Sequence, residues 1–318
     1  MRRARKFLFL IAACLWAGPA FALTAQTEDD LLREWMWQRF IELPKESRPQ
    51  IGLALSAGGV RGFAHVGVLE VLDNAGLPID KIAGTSMGAV VGGLYAAGLP
   101  TERLWEIGDH ITLNTITPDF NVGGLFRFVF ERKLPTSANL SKFFEEQLGD
   151  MQFEEMPIPF SCAAMDIKTG ERVLFNSGPL AIAVRASMNL PGVFEPVQYR
   201  HRALVDGAVV DYLPVESVKQ MGADYVIASV TPFDFSSKAP TTILGYVNRV
   251  NDVRAAAMIE EAAKKADFVL TNRVLDTKTL ELAKLHQAGE VGVKEAYKNL
   301  EPLQEDLLLH ALPEIFKK

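Results

Sequence analysis

The chain has 318 residues, of which 48% are hydrophobic and 23% charged, and a formal net charge of −6. A chain of this length buries about three-quarters of its unfolded surface, which is core enough for an α/β protein without disulfide staples. The acidic balance argues against nucleic acid as a main partner and against a broad electrostatic hold on anionic membranes.

Met1-Arg2-Arg3-Ala4-Arg5-Lys6 is a basic leader, residues 7–18 are apolar, and Ala20-Phe21-Ala22 is an A-x-A cleavage signal. They predict a signal peptide over residues 1–22 and an exported protein, periplasmic or secreted. Ile11-Ala12-Ala13-Cys14 offers a rival reading, a lipobox that would leave a lipid anchor on Cys14. Leu15-Trp16-Ala17 continues the apolar run past that cysteine and speaks against it. Cleavage after Ala22 leaves Cys162 as the remaining cysteine, so no intramolecular disulfide forms. No later stretch approaches the ~18 consecutive apolar residues of a membrane span.

Residues 23–49 hold an N-terminal amphipathic helix. Leu31, Leu32, Trp35, Phe40 and Ile41 are expected near one face, Asp29 and Asp30 suit the first turn, and Pro44 is the stop. Such a helix either packs on the main domain or serves as a membrane-adhering or partner-binding arm.

Ile51-Gly52-Leu53-Ala54-Leu55 reads as a buried strand, a short apolar run bounded by breakers. Ser56-Ala57-Gly58-Gly59-Val60-Arg61-Gly62 follows, then apolar residues at helical spacing over residues 63–72. A Gly-rich loop feeding a helix presents backbone N–H groups to an anion. A second unit of the same kind comes next. An apolar run over residues 79–83 leads into Gly84-Thr85-Ser86-Met87-Gly88 and a small-residue helix from Ala89. Strand, sharp turn bearing Ser, then helix is the setting in which Gly84 and Gly88 expose the Ser86 hydroxyl as a nucleophile. Two successive units of this kind imply neighbouring parallel strands with both loops at one sheet edge. One loop then offers donors and the other a nucleophile, as acyl transfer requires.

Residues 99–150 break the β–α rhythm and read as an insertion near the site, with an aromatic run over residues 121–130. Lid, wall of an acyl-chain pocket and plain core are all open readings of it. Strands are expected at residues 160–165, 172–175 (an edge partner), 225–230 and 268–270. Helices are expected at residues 179–188, 214–221, 241–266 and 288–309, the last broken at Pro302.

Ser86 needs a base. The five histidines, His65, His110, His201, His286 and His310, sit in no distinctive motif. Asp206 is the better candidate, because an apolar strand ends on it and the small Gly207 and Ala208 follow. By itself this segment also reads as an ordinary Asp-Gly turn. Asp166 and Asp211 are weaker alternatives, Asp166 reading as part of a hairpin.

The Gly-rich loop, Gly84–Gly88, the segment 185–196 and Asp206-Gly207-Ala208, in this order, resemble the patatin-like phospholipases over about residues 51–230. The resemblance implies a three-layer α/β/α sandwich around a mostly parallel sheet. It implies a Ser–Asp dyad without histidine: Ser86 as nucleophile, Asp206 as base, Gly58 and Gly59 as oxyanion hole, and Arg61 steadying the loop. Ala57 departs from the family pattern, standing where the first of three glycines is usual. The expected activity is phospholipase A or lysophospholipase on lipid esters through an acyl-enzyme, with no cofactor and no metal, and with peripheral membrane contact as an option. Two alternatives stand beside it: an α/β-hydrolase-type Ser–His–Asp esterase using His286, and a non-catalytic lipid-binding protein. The domain reading is 1–22 signal peptide, 23–49 helix, 50–270 hydrolase domain and 271–318 C-terminal helical segment.

Overall fold

The computed structural model describes residues 27–111, 134–235, 239–275, 277 and 281–317. The expected signal peptide 1–22, the rival lipobox reading at Cys14 and the aromatic run 121–130 lie outside the described residues.

Eight strands form one sheet: β1 (Ile51–Leu55), β2 (Lys81–Thr85), β3 (Phe160–Asp166), β4 (Arg172–Phe175), β5 (Val197–Tyr199), β6 (Arg202–Asp206), β7 (Tyr225–Val230) and β8 (Phe268–Thr271). The order β3-β2-β1-β7-β8 is parallel throughout. β4 and β6 pair antiparallel with β3, and β5 pairs antiparallel with β6. The helices are α1 (Glu28–Ile41), α2 (Ala64–Asn74), α3 (Met87–Ala96), α4 (Thr101–His110), α5 (Ala138–Leu148), α6 (Leu180–Ser187), α7 (Val215–Gln220), α8 (Ile243–Ala263), α9 (Leu285–His310) and α10 (Leu312–Ile315).

Strand side chains alternate between two faces, and the sheet buries both. Ile51, Leu53 and Leu55 of β1 join Tyr225 and Ile227 of β7 in a large core with residues of α1 to α6 and α9. Ala54, Ala83, Val226, Ala228 and Val230 face the other way, onto Val215 and Val218 of α7 and Ala255 and Ile259 of α8. The result is the expected α/β/α sandwich, thick on one side of the sheet and thin on the other. Small side chains hold the thin side close. A Cβ on Gly52 would lie 2.0 Å from Val218 Cγ1.

Two expectations need correction. The N-terminal helix forms, capped by reciprocal Thr27 and Asp30 bonds, but Leu31, Leu32 and Trp35 stay exposed. Trp37 and Phe40 are its buried residues, and Trp37 Nε1 donates to the Ala75 carbonyl at 3.0 Å. That bond and the pairing of Arg33 with Glu301 and Glu305 fix the helix rotation. The second correction concerns Pro302, which does not break the last long helix. α9 runs unbroken over 26 residues. Proline inside a helix costs about 3 kcal/mol. Leu303, Leu307 and Leu308, buried just beyond it, hold the second half on the core and offset that cost.

Candidate active site

β2 and β6 share one edge of β3. β4 pairs with β3 across Cys162–Met165. On the opposite edge β2 ends at Thr85 beside Ala163, and β6 arrives from the other direction and ends at Asp206 beside Ala164. Two strand ends therefore meet on adjacent residues of one strand. Ser86 is the residue after β2, and Asp206 is the last of β6.

The Ser86 hydroxyl donates to Asp206 Oδ2 at 2.7 Å. Asp206 Oδ1 accepts the Ala208 N–H at 2.8 Å, within the 3-10 turn Gly207–Val209. That turn lies against β3 so closely that a Cβ on Gly207 would stand 2.2 Å from the Ala163 carbonyl oxygen. Ser86 has φ 55° and ψ −122°, a conformation costly to a residue with a Cβ. Its N–H is fixed by Ser187 Oγ at 3.0 Å. The Asp206 N–H donates to the Asn189 carbonyl at 2.9 Å. One short segment, Ser187 to Asn189, thus ties down both residues. Neither Ser187 nor Asn189 shows its role in the sequence, because a hydroxyl or carbonyl acting across the fold leaves no local pattern.

Ser86 is 7% and Asp206 2% exposed. Burial pushes the Asp206 carboxyl up to about 6, against the opposing pull of the Ala208 N–H and the Ser86 hydroxyl. A carboxylate of that affinity takes a proton readily at neutral pH and returns it.

The Gly-rich loop arrives from β1. The Ser56 N–H donates to the Ser229 carbonyl and the Ala57 N–H to the Tyr212 carbonyl. Ala57 keeps an ordinary backbone, since the positive-φ residues other than glycine are Ser86 and Arg200. The N–H groups of Gly58 and Gly59 have no acceptor among the described residues. The first turn of α3 adds a helix N-terminus beside Ser86. Arg61 is 8% exposed, with its guanidinium 4.5 Å above the Phe233 ring and Nε 3.5 Å from the Gly58 carbonyl oxygen. Gly84 and Gly88 let helix and strands touch. A Cβ on Gly88 would stand 2.3 Å from the Leu55 carbonyl oxygen.

The histidines lie elsewhere. His65 is buried below the loop, with Nε2 2.9 Å from the Ser56 carbonyl oxygen and Nδ1 2.8 Å from Ser229 Oγ. Asn272 Nδ2 donates to that same Ser229 oxygen at 2.9 Å. Burial pushes the imidazole down to about 4, so it is neutral. The Ser56 carbonyl can only accept, so Nε2 carries the proton and Ser229 donates to Nδ1. His286 is exposed, bonded to Asp109 at 3.1 Å and tilted against the Trp105 ring. No histidine lines either cavity at Ser86. Asp211 is paired with Arg172 at 2.6 Å, and Asp166 closes the β3–β4 turn with its carbonyl and carboxylate.

Ser86 and Gly59 stand where two cavities meet. One is apolar and lined by Val90, Leu140, Phe143, Phe144, Phe194 and Leu285, among others. Its wall includes α5, from the stretch expected as an insertion, and the start of α9. The other is mixed, with Arg61, Asp206, Tyr212, Asn251, Asp252 and Arg254 set among apolar residues such as Met165, Ile167, Phe233 and Met258. Among the described residues no group of three or more His, Cys, Asp or Glu could hold a metal ion.

The family model described as patatin-like phospholipase matches residues 53–219. The chain belongs to the patatin-like phospholipase family. An uncharacterised NTE family protein of Mycobacterium tuberculosis is 37% identical over 185 residues, 57% of this chain and 49% of that protein. A protein named lysophospholipase from Emericella nidulans is 33% identical over 201 residues, 62% of this chain and 12% of that protein. The chain thus spans half or less of the length of these curated relatives. Among solved structures, VipD from Legionella pneumophila is similar with a TM-score of 0.51 and 12% identity, covering 80% of this chain and 67% of that one. That likeness concerns the fold alone.

Proposed function

We propose that this patatin-like protein is a serine acyl hydrolase of phospholipid or lysophospholipid carboxylic esters. The carrying observation is the 2.7 Å bond from the Ser86 hydroxyl to the buried Asp206 carboxylate, at the junction of an apolar cavity and a mixed one. The lysophospholipase name of one relative supports the same substrate class.

In this reading the acyl chain lies in the apolar cavity and the ester carbonyl reaches Ser86. Ser86 Oγ attacks the carbonyl carbon while its proton passes to Asp206 Oδ2. The carbonyl oxygen becomes an oxyanion and accepts the free N–H groups of Gly58 and Gly59. Collapse breaks the ester C–O bond, and the proton on Asp206 goes to the departing alcohol. Water then enters, gives a proton to Asp206 and attacks the acyl-enzyme. The second collapse releases the fatty acid, and Ser86 takes its proton back. A carboxyl pushed up to about 6 suits both the accepting and the donating steps.

Arg61 steadies the loop through its stack on Phe233. Export through residues 1–22 belongs to the same proposal and is checked by fractionating cells that express the full chain. The deciding experiment for the reaction is fluorophosphonate labelling with peptide mapping, beside a lysophospholipid turnover assay. Label on Ser86 and loss of turnover in Ser86→Ala support it. Folded protein that takes no label and turns over no ester refutes it.

A further inference from the structure

The mixed cavity carries charged residues that the ester-cleavage reading does not use. Asn251, Asp252 and Arg254, all from α8, line it opposite the Gly-rich loop. The Asp252 carboxylate is half-buried, and no hydrogen bond or ion pair engages it among the described residues. Its burial pushes the carboxyl upward, opposed by the charges of Arg61 and Arg249. On its open side this carboxylate is free to accept from a ligand cation that enters the cavity. Arg254 spends one N–H on the Val209 carbonyl at 2.8 Å. Its other donors, on an exposed side chain, have no acceptor among the described residues. A planar guanidinium with open donors suits a phosphate. One helix therefore offers the cavity a cation and an anion two residues apart, on the side of Ser86 away from the apolar chamber.

We propose that this cavity is a head-group subsite for a zwitterionic phosphate-and-amine head group, Arg254 taking the phosphate oxygens and Asp252 the ammonium. This rests on the lipid-ester reading above and adds a preference to it. A primary ammonium gives Asp252 both charge and N–H donors, whereas a fully methylated one gives charge alone. The order of preference is then ethanolamine over choline over an uncharged glycerol ester.

The test is calorimetric binding of short-chain, monomeric lysophosphatidylethanolamine, lysophosphatidylcholine and monoacylglycerol to the full-length Ser86→Ala protein. Asp252→Asn and Arg254→Gln are added singly to that background. Asp252→Asn is expected to weaken ethanolamine-lipid binding about tenfold, the loss of one charged hydrogen bond, and to leave monoacylglycerol unchanged. Arg254→Gln is expected to weaken both phospholipids by a similar factor. Equal affinities for the three lipids, or ratios unmoved by both substitutions, would overturn the subsite. Chemistry is absent from this background. Failure of the wild-type protein to cleave a nitrophenyl ester therefore counts against the hydrolase reading and not against the subsite.

Discussion

The Asp206 carboxylate holds the Ser86 hydroxyl at 2.7 Å although 120 positions separate the two in the chain. β2 and β6 approach along one edge of β3 from opposite directions and stop on neighbouring residues. The pairing is therefore a property of sheet register, and no flexible loop has to close to make it.

If Asp206 is the base, Asp206→Asn lowers ester turnover by about 10²–10⁴-fold, the usual worth of a positioned base. Ser86→Ala falls to background. His286→Ala keeps wild-type turnover, because that ring bonds Asp109 on the outer surface. The assay is chromogenic ester hydrolysis by the three variants. A dead His286→Ala, or a fully active Asp206→Asn, would exclude the dyad.

The pH profile follows from the buried carboxyl. As the proposed base, Asp206 must be ionised to accept the proton, so kcat/KM is expected to rise with pH through a midpoint of about 6. Stability moves the other way. A carboxyl raised from 3.8 to about 6 on folding binds its proton more tightly in the native state. Native stability therefore declines as pH climbs between those two values. Asp206→Asn is expected to melt higher than wild type above the window and to match it below. Melting curves across pH check this, and a profile in which the gain grows toward acid contradicts it.

Ser86 carries its backbone strain with any side chain attached. Ser86→Gly and Ser86→Ala both lose the hydroxyl, but Gly accepts φ 55° without strain. The Gly variant is expected to be the more stable of the two by about 1 kcal/mol, net of its greater unfolded-state entropy. Denaturant unfolding measures the difference, and a more stable Ala variant would show that the turn is unstrained.

Gly58→Ala tests the oxyanion loop. The new Cβ would stand 2.3 Å from Thr231 Oγ1 and 2.8 Å from the Gly62 nitrogen, so the loop must shift. Turnover is expected to drop about 10²–10³-fold, the cost of a misplaced oxyanion donor. The Ser86–Asp206 bond lies outside this shift, so the pH midpoint stays where it is. Steady-state kinetics over a pH series separates the two effects.

Much of this site was legible because close packing forces particular residues. Gly88 must be small where it meets the Leu55 carbonyl, and Gly207 where it meets Ala163, so both sites carry a glycine beside the reactive residue. Short apolar runs bounded by breakers marked the buried strands β1, β3 and β7, because a strand covered on both faces has no polar side. Other features depend on partners distant in sequence. α1 has two apolar stripes, and only the Ala75 carbonyl and the Glu301–Glu305 pair select the one holding Trp37 and Phe40. Pro302 reads as a break until the buried leucines after it are placed. Ser187 is one serine among many until its hydroxyl meets the Ser86 N–H. The three-residue β5 is too short to show any periodicity.

Because successive strand residues face opposite sides of a sheet, sliding β6 by a single position along β3 would turn the Asp206 side chain toward the wrong layer. If the proposed hydrolase reading holds, a chain recovering from denaturant regains ester cleavage only after that alignment is made. The appearance of activity thus times the seating of one antiparallel strand, and a spectroscopic signal that completes earlier reports the parallel remainder.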